Sequence, residues 1–273
     1  YIDYVGDKVF YGCVSLTTIN FPSVTHIGGD AFYGCYSLTD ISIPLVKEVG
    51  SQAFSNCSSL KDIELPLITT INHWTFGNCS NLTSVKVPSI TEVATDAFYN
   101  CSSLKEVIGL ENVITIKSSA FCGCSSLESV NLLKVVSVGD NAFNGTLITN
   151  VSLPATLQSL GAGNFCNVAK IVLASTTPPV LTDGFDDHAF SSFTTFLVPE
   201  TSLEVYRNAD VWKKYASQIL SLSDVVDYDV ATTAQENTSG LRNVIGEDNL
   251  TKVVSLKVKG TINGYDIMIM RNK

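Results

Sequence analysis

Charge is scarce in this chain. Only 16% of its 273 residues are Asp, Glu, Lys or Arg, and they sum to −9. Phosphate recognition needs a basic stripe, and none is present, so no nucleic-acid partner is expected. Histidine is scarcer still, at His26, His73 and His188. His26 and His73 fall at different phases of the pattern described below, so they do not converge, and surface polar roles are expected for them. No apolar run reaches the roughly 18 residues of a membrane span. Gly-x-Ser-x-Gly, the glycine-rich phosphate loop and His-Glu-x-x-His are all missing. These gaps exclude the common catalytic signatures and leave no cofactor or metal to expect.

What the chain has is period. Hydrophobic residues make up 45% of it, enough for a continuous core. Phenylalanine recurs at Phe10, Phe32, Phe54, Phe76, Phe98, Phe121, Phe143 and Phe165, at intervals of 22 residues with one of 23. A cysteine follows three residues after six of them, at Cys13, Cys35, Cys57, Cys79, Cys101 and Cys124; Thr146 and Val168 take that place after Phe143 and Phe165. A fixed period of this length signals a solenoid built from one small unit.

One unit reads from Gly50 to Pro66. After Phe54 and Cys57 comes Leu60-Lys61-Asp62-Ile63-Glu64-Leu65-Pro66, whose alternation is that of a strand with one buried face. Proline ends the strand because it has no N–H to continue a ladder. Copies lie at Leu16 to Pro22, Leu38 to Pro44, Leu82 to Pro88 and Ile148 to Pro154. Looser ones lie at Leu104 to Leu110, Leu127 to Leu133 and Val168 to Ala174, and a ninth at Phe193 to Pro199. Nine strands at roughly 4.8 Å spacing make a rod about 40 Å long. A second apolar pair follows each strand, such as Ile68 and Ile71. Ser51, Thr95, Ser118 and Asp140 then read as N-caps of a one-turn helix that carries the phenylalanine.

Eight cysteines invite a disulfide reading, but six occupy one position in successive turns, as a ladder and not as pairs. Free buried thiols are expected. Cys122 and Cys166 sit off the ladder, and Cys122 is expected to be the more exposed. Cys122-Gly123-Cys124 has the wrong spacing for zinc. Asn56, Asn78 and Asn100, each followed by Cys-Ser, read as turn asparagines rather than glycosylation acceptors. Asp183-Gly184-Phe185-Asp186-Asp187-His188 is the densest ligand-like cluster; without EF-hand spacing it reads as a polar loop, with cation binding the alternative.

The residues flanking the buried position of each strand should point outward in two columns. The first runs Thr18, Asp40, Asp62, Ser84, Glu106, Ser129, Asn150, Lys170, Thr195, and the second Asn20, Ser42, Glu64, Lys86, Ile108, Asn131, Ser152, Val172, Leu197. Acidic residues gather in the first half and apolar ones in the second. Extended sheet faces of solenoids are common binding surfaces. The candidate ligand-binding residues are therefore Thr18, Asn20, Asp40, Ser42, Asp62, Glu64, Ser84, Lys86 and Glu106. No aromatic residue lies in either column, which ranks glycan binding last; Tyr33, Tyr36 and Tyr99, near the turns, are where it would have to act.

The motif Ala-Phe-x-x-Cys-x-x-Leu-x-x-Ile-x-Leu-Pro resembles the BspA-like leucine-rich repeats of bacterial surface proteins, over about residues 5 to 217. The resemblance implies a leucine-rich repeat solenoid, α/β in class, with a parallel sheet and short helical turns on the opposite side. It also implies an extracellular or cell-surface location and adhesion to host or neighbouring-cell proteins, matrix components among them, by a monomer. A structural spacer is the rival role. Domain boundaries are expected at 1–220 for the repeats, with a helical cap from about 175 that includes a helix from Thr201 or Ser202 to about Ser217. A linker at 221–238 is expected to follow. Residues 239–273 then read as the start of a further repeat domain or a small αβ module, with a short helix from Ser239, a strand from Val253 to Val258 and a helix start at Asn263. Tyr1 to Phe10 enters in mid-repeat, so a preceding segment is expected, and the lack of a signal says nothing about export.

Overall fold

The computed structural model describes residues 2–182 and 190–224, and the strands Val226–Ala231 and Val253–Lys259. Each 22-residue coil makes hydrogen bonds to its neighbours on three sides. The first side carries the strands read from the sequence: Thr18–Asn20, Asp40–Ser42, Asp62–Glu64, Ser84–Lys86, Glu106–Ile108, Asn150–Leu153, Lys170–Leu173 and Thr195–Val198. All pairing among them is parallel and puts repeat-equivalent residues side by side, as in Asp62 to Ser84 to Glu106. The second side carries two-residue strands, three from Tyr4–Val5 to Glu48–Val49 and six from Thr70–Ile71 to Val180–Leu181.

The third side departs from expectation. Ser51, Thr95, Ser118 and Asp140 open tight turns, not helices. The residue two before each phenylalanine is left-handed, from Lys8, Asp30 and Gln52 to Asn141 and Gly163. So is the residue two after it in seven coils, from Gly12 to Gly145. A helix cannot pass through alternating left-handed residues. The amides freed by this geometry bond to the next coil instead. Phe54 N donates to Thr75 O at 2.9 Å, and Asn56 N to Gly77 O at 2.8 Å. The asparagines at 56, 78 and 100 hold positive φ, in keeping with their reading as turn residues.

The phenylalanines fill the interior as a single stack. Consecutive rings from Phe10 to Phe165 lie 5.1 to 5.7 Å apart and within 18° of parallel. Around them pack the leucines, isoleucines and valines of every coil, most of them fully buried. The single 23-residue interval has a structural cause. Gly109 is the inserted residue, at φ 119°, and a Cβ there would lie 2.2 Å from Val87 O, so only glycine fits.

The sheet side is interrupted twice. Asp40–Ser42 and Asp62–Glu64 are not paired with each other. Asp40 and Asp62 occupy equivalent positions there, and like charges side by side disfavour pairing. The second side is also open at this coil boundary, but Asn72 Nδ2 donates to Val49 O at 2.8 Å and bridges it. The second interruption is at Leu127 to Leu133, the expected sixth strand, which forms no strand at all. It directly follows the coil with the Gly109 insertion. In compensation, Ile219–Ser221 adds a strand the sequence reading missed, parallel to Thr195–Val198. Leu197, expected to point outward, is buried in that last pair, opposite Leu220.

The C-terminal end is covered, though not by one helix. Leu203–Asn208 is α-helical, Ala209 is extended, and Val211–Gln218 continues as a 3-10 helix. Tyr206, Trp212 and Tyr215 are buried over the last coil, with the Trp212 ring edge-on to Phe196 at 5.4 Å. Tyr206 Oη donates to Ser175 O and Trp212 Nε1 to Pro179 O. Val253–Lys259 is a strand as read from the sequence. It pairs in parallel with Val226–Ala231, which lies in the segment read as a linker. The helices expected from Ser239 and Asn263 lie outside the described residues.

Truncating one ring should break the stack on both sides. Phe76→Ala is expected to lower unfolding stability by about 3–5 kcal/mol in denaturant titration. A loss below about 1 kcal/mol would mean that the coils hold register without the stack.

Candidate binding face

Nothing among the described residues gathers into a cation cluster. Asp183, Asp186, Asp187 and His188 lie outside the described residues. His26 and His73 stay apart. His26 stacks on Tyr4 and meets Glu48 at 3.0 Å, whereas His73 Nδ1 lies 2.9 Å from Thr95 O. No helix of the described residues is long and apolar enough to cross a membrane.

The thiols are equally removed from chemistry. All eight cysteines are free of disulfides. The ladder has a reason the sequence did not disclose. Each buried Sγ–H donates to the carbonyl of the phenylalanine one coil back: Cys57 to Phe32 at 3.2 Å, Cys79 to Phe54 and Cys101 to Phe76 at 3.0 Å. Thr146 breaks the pattern by donating to Phe143 O in its own coil. Burial pushes the Cys79 thiol from an ordinary 9.0 up to about 12 and Cys35 to about 11, and raises Cys57, Cys101 and Cys124 as well. Such thiols are inert at neutral pH. Cys122 and Cys166 are half-buried, and so is Cys13 in the first coil.

The predicted columns are where the molecule shows its side chains. Thr18, Asn20, Asp40, Ser42, Asp62, Glu64, Lys86 and Glu106 are exposed, and Ser84 is half-buried. Six of the nine line one shallow depression: Asp40, Ser42, Asp62, Glu64, Ser84 and Lys86. Its floor is Ile41, Ile43 and Ile63, its rim is Pro44 and Pro66, and Ile108 closes one end. It opens at the first interruption of the sheet. Thr18, Asn20 and Glu106 stand outside it. Lys86 Nζ is 2.8 Å from Glu64 Oε1, Thr83 Oγ1 donates to Asp62, and Ser84 Oγ donates to Glu106. A second depression, lined by Val130, Leu132, Leu133 and Val172, lies at the second interruption. Sequence reasoning missed it because it treated 127–133 as an ordinary strand.

The turn side also carries aromatic residues. Tyr33 stacks on Tyr11 at 5.0 Å and Tyr99 packs on Trp74 at 5.1 Å, so both are half-buried, while Tyr36 is exposed. Rings already stacked on neighbours offer less open face to a sugar.

The profile of the BspA type leucine rich repeat region matches residues 1–105 and 91–209, in six copies. The chain belongs to the BspA-type leucine-rich repeat family. No curated protein matches it. Among solved structures, a leucine-rich repeat protein from Bacteroides ovatus is similar over 84% of this BspA-type chain and 70% of its own, at 22% identity and a TM-score of 0.58. A leucine rich cell surface protein from Faecalibacterium prausnitzii is similar over 97% and 85%, at 20% identity and 0.52. A leucine-rich repeat protein from T. pallidum shares 34% identity over 53% of this chain and 70% of its own, with a TM-score of 0.49. The first two likenesses concern the fold, which is a parallel-strand leucine-rich repeat solenoid.

The raised thiols give the BspA-type core a pH signature. Above pH 9 the unfolded chain releases thiol protons that the native chain retains, so stability falls as pH rises. The loss is about 1.4 kcal/mol per unit for each buried thiol until its own folded pKa is reached. Cys57, Cys79, Cys101 and Cys124 should act together. A denaturant midpoint much lower at pH 10 than at pH 8 is expected. A Cys79→Val variant should show a shallower slope; an identical slope would locate the alkaline sensitivity elsewhere.

Proposed function

We propose that this chain is a non-catalytic protein-binding module of the cell surface. Its sheet face adheres to a host or neighbouring-cell protein, such as a matrix component. One observation carries the reading: six column residues from three adjacent coils converge on one open depression in a frame held by continuous core packing. A rigid face presented without loss of conformational freedom binds at low entropic cost. The family supports a surface role, and the similar Faecalibacterium protein is a cell surface protein. The module acts as a monomer, with residues 1–220 as the binding domain and 239–273 as the start of a further repeat domain or a small αβ module. Glycan binding is the weaker reading, because Tyr33 and Tyr99 are already stacked.

The test is a surface-immobilised screen against extracellular matrix proteins, with Asp40→Lys/Asp62→Lys/Glu64→Lys run in parallel. All three sites are exposed, so the fold should survive. A captured protein whose affinity drops at least about tenfold in the variant is the expected result. Unchanged capture would remove the sheet face. A blank screen at high concentration would favour the spacer role, which the unbroken ring stack would serve equally well.

A further inference from the structure

We infer that the sheet face takes an extended protein segment that is basic at one end and apolar at the other. The basic part lies over Asp40 and Asp62, and the apolar part over Leu133 and Val172. This rests on the sheet face being the binding face and adds the chemistry of its partner.

The apolar end is the primary observation. Most column residues are small and polar, as a face in water should be. Along the later coils this changes. Ile108 is 44% exposed, Leu133 is 62% exposed, and Val130 and Val172 are half-buried beside them. Single exposed leucines are ordinary. Here Val130, Leu133 and Val172, from two coils on either side of Asn150–Leu153, line one depression of about 370 Å³, where the chain forms no strand. Contiguous apolar surface rimmed by polar groups marks a contact site.

Charge selects the occupant. Lys86 is paired with Glu64, so that ion pair cancels itself. Asp40 and Asp62 are left as the charge of the first depression, and Glu106 follows in the same column. Among the described residues, no acidic side chain lines the far depression. The face therefore favours cationic groups at one end only, and gives the occupant a direction. A polyamine supplies no apolar end, and a neutral glycan supplies neither feature. A protein segment with Arg or Lys followed by aliphatic side chains supplies both. Ile108 lines the first depression and belongs to the coil before the one that carries Val130 and Leu133.

The probe is a labelled dodecapeptide in which Arg alternates with Ser and then Leu with Ser. Two controls carry Glu for Arg or Ser for Leu, and binding is read by fluorescence anisotropy at low salt. The parent peptide should bind the whole chain about tenfold more tightly than either control. Asp40→Asn/Asp62→Asn should remove the advantage over the Glu peptide, and Leu133→Ser the advantage over the Ser peptide. Glu48→Gln/Glu92→Gln, on the second side of the coil, should change neither. Circular dichroism verifies folding of each variant. Equal binding of all three peptides overturns the inference. So does an Arg preference that Glu48→Gln/Glu92→Gln lowers as much as Asp40→Asn/Asp62→Asn does, since that reports net charge alone. If the peptides discriminate but the matrix screen is blank, the adhesion reading falls and this one stands. If a matrix protein binds through the face while the peptides do not discriminate, the face stands and the chemistry assigned to its partner falls.

Discussion

Every other feature of this molecule depends on the coil-to-coil hydrogen bond made by the phenylalanine amide. Phe10, Phe32, Phe54, Phe76, Phe98 and Phe121 each donate to the carbonyl just before the next phenylalanine, at 2.7 to 2.9 Å. That bond sets the 22-residue register. With the register set, rings fall on rings, each thiol meets the carbonyl one coil back, and strand residues align as columns. The left-handed residues on either side of the phenylalanine are what turn its amide along the rod axis, away from the local helical partner it would otherwise find. The cost of those conformations is met by asparagine, aspartate and glycine at many of the positions, residues that tolerate them best.

This division of labour assigns the parts of the coil. The turn side and the interior are bound by packing and by the thiol and amide ladders, so they offer little freedom to vary. The sheet face has outward side chains whose identity the register does not fix. Its acidic and apolar ends can therefore differ without disturbing the frame, which is what a binding surface on a repeat scaffold requires.

Much of this was legible in the sequence. Period gave the solenoid, alternation in segments such as Leu60 to Pro66 gave the strands, and position in the alternation gave the outward columns. What was not legible was hydrogen-bonded geometry. A polar residue before Ala-Phe looks like a helix cap whether or not the next residue is left-handed, and Gln52 or Trp74 gives no hint that it is. The cysteines read as small hydrophobes because a thiol donor leaves no composition signal. The missing strand at 127–133 could not be read from its own residues. The one local sign was the additional Gly109 a coil earlier. The strand Ile219–Ser221 was hidden because three residues after a helical pattern carry no period of their own. The columns were read as continuous, acidic in the first half and apolar in the second, yet the structure gathers them into two depressions at the two breaks of the sheet.

Both breaks cut the sheet side of the rod, and at the first the second side is held by the Asn72 bridge to Val49 O. On the turn side the amide ladder passes both without losing a bond, through Phe32 to Ala53 at the first and Phe98 to Ala120 at the second. A rod stitched continuously along its back and cut twice along its front has one soft direction of bending. Flexing toward the back widens the cuts while the stitched side acts as the neutral line. A segment lying in the cuts would wedge them open, so whatever occupies the face also sets the curvature of the rod.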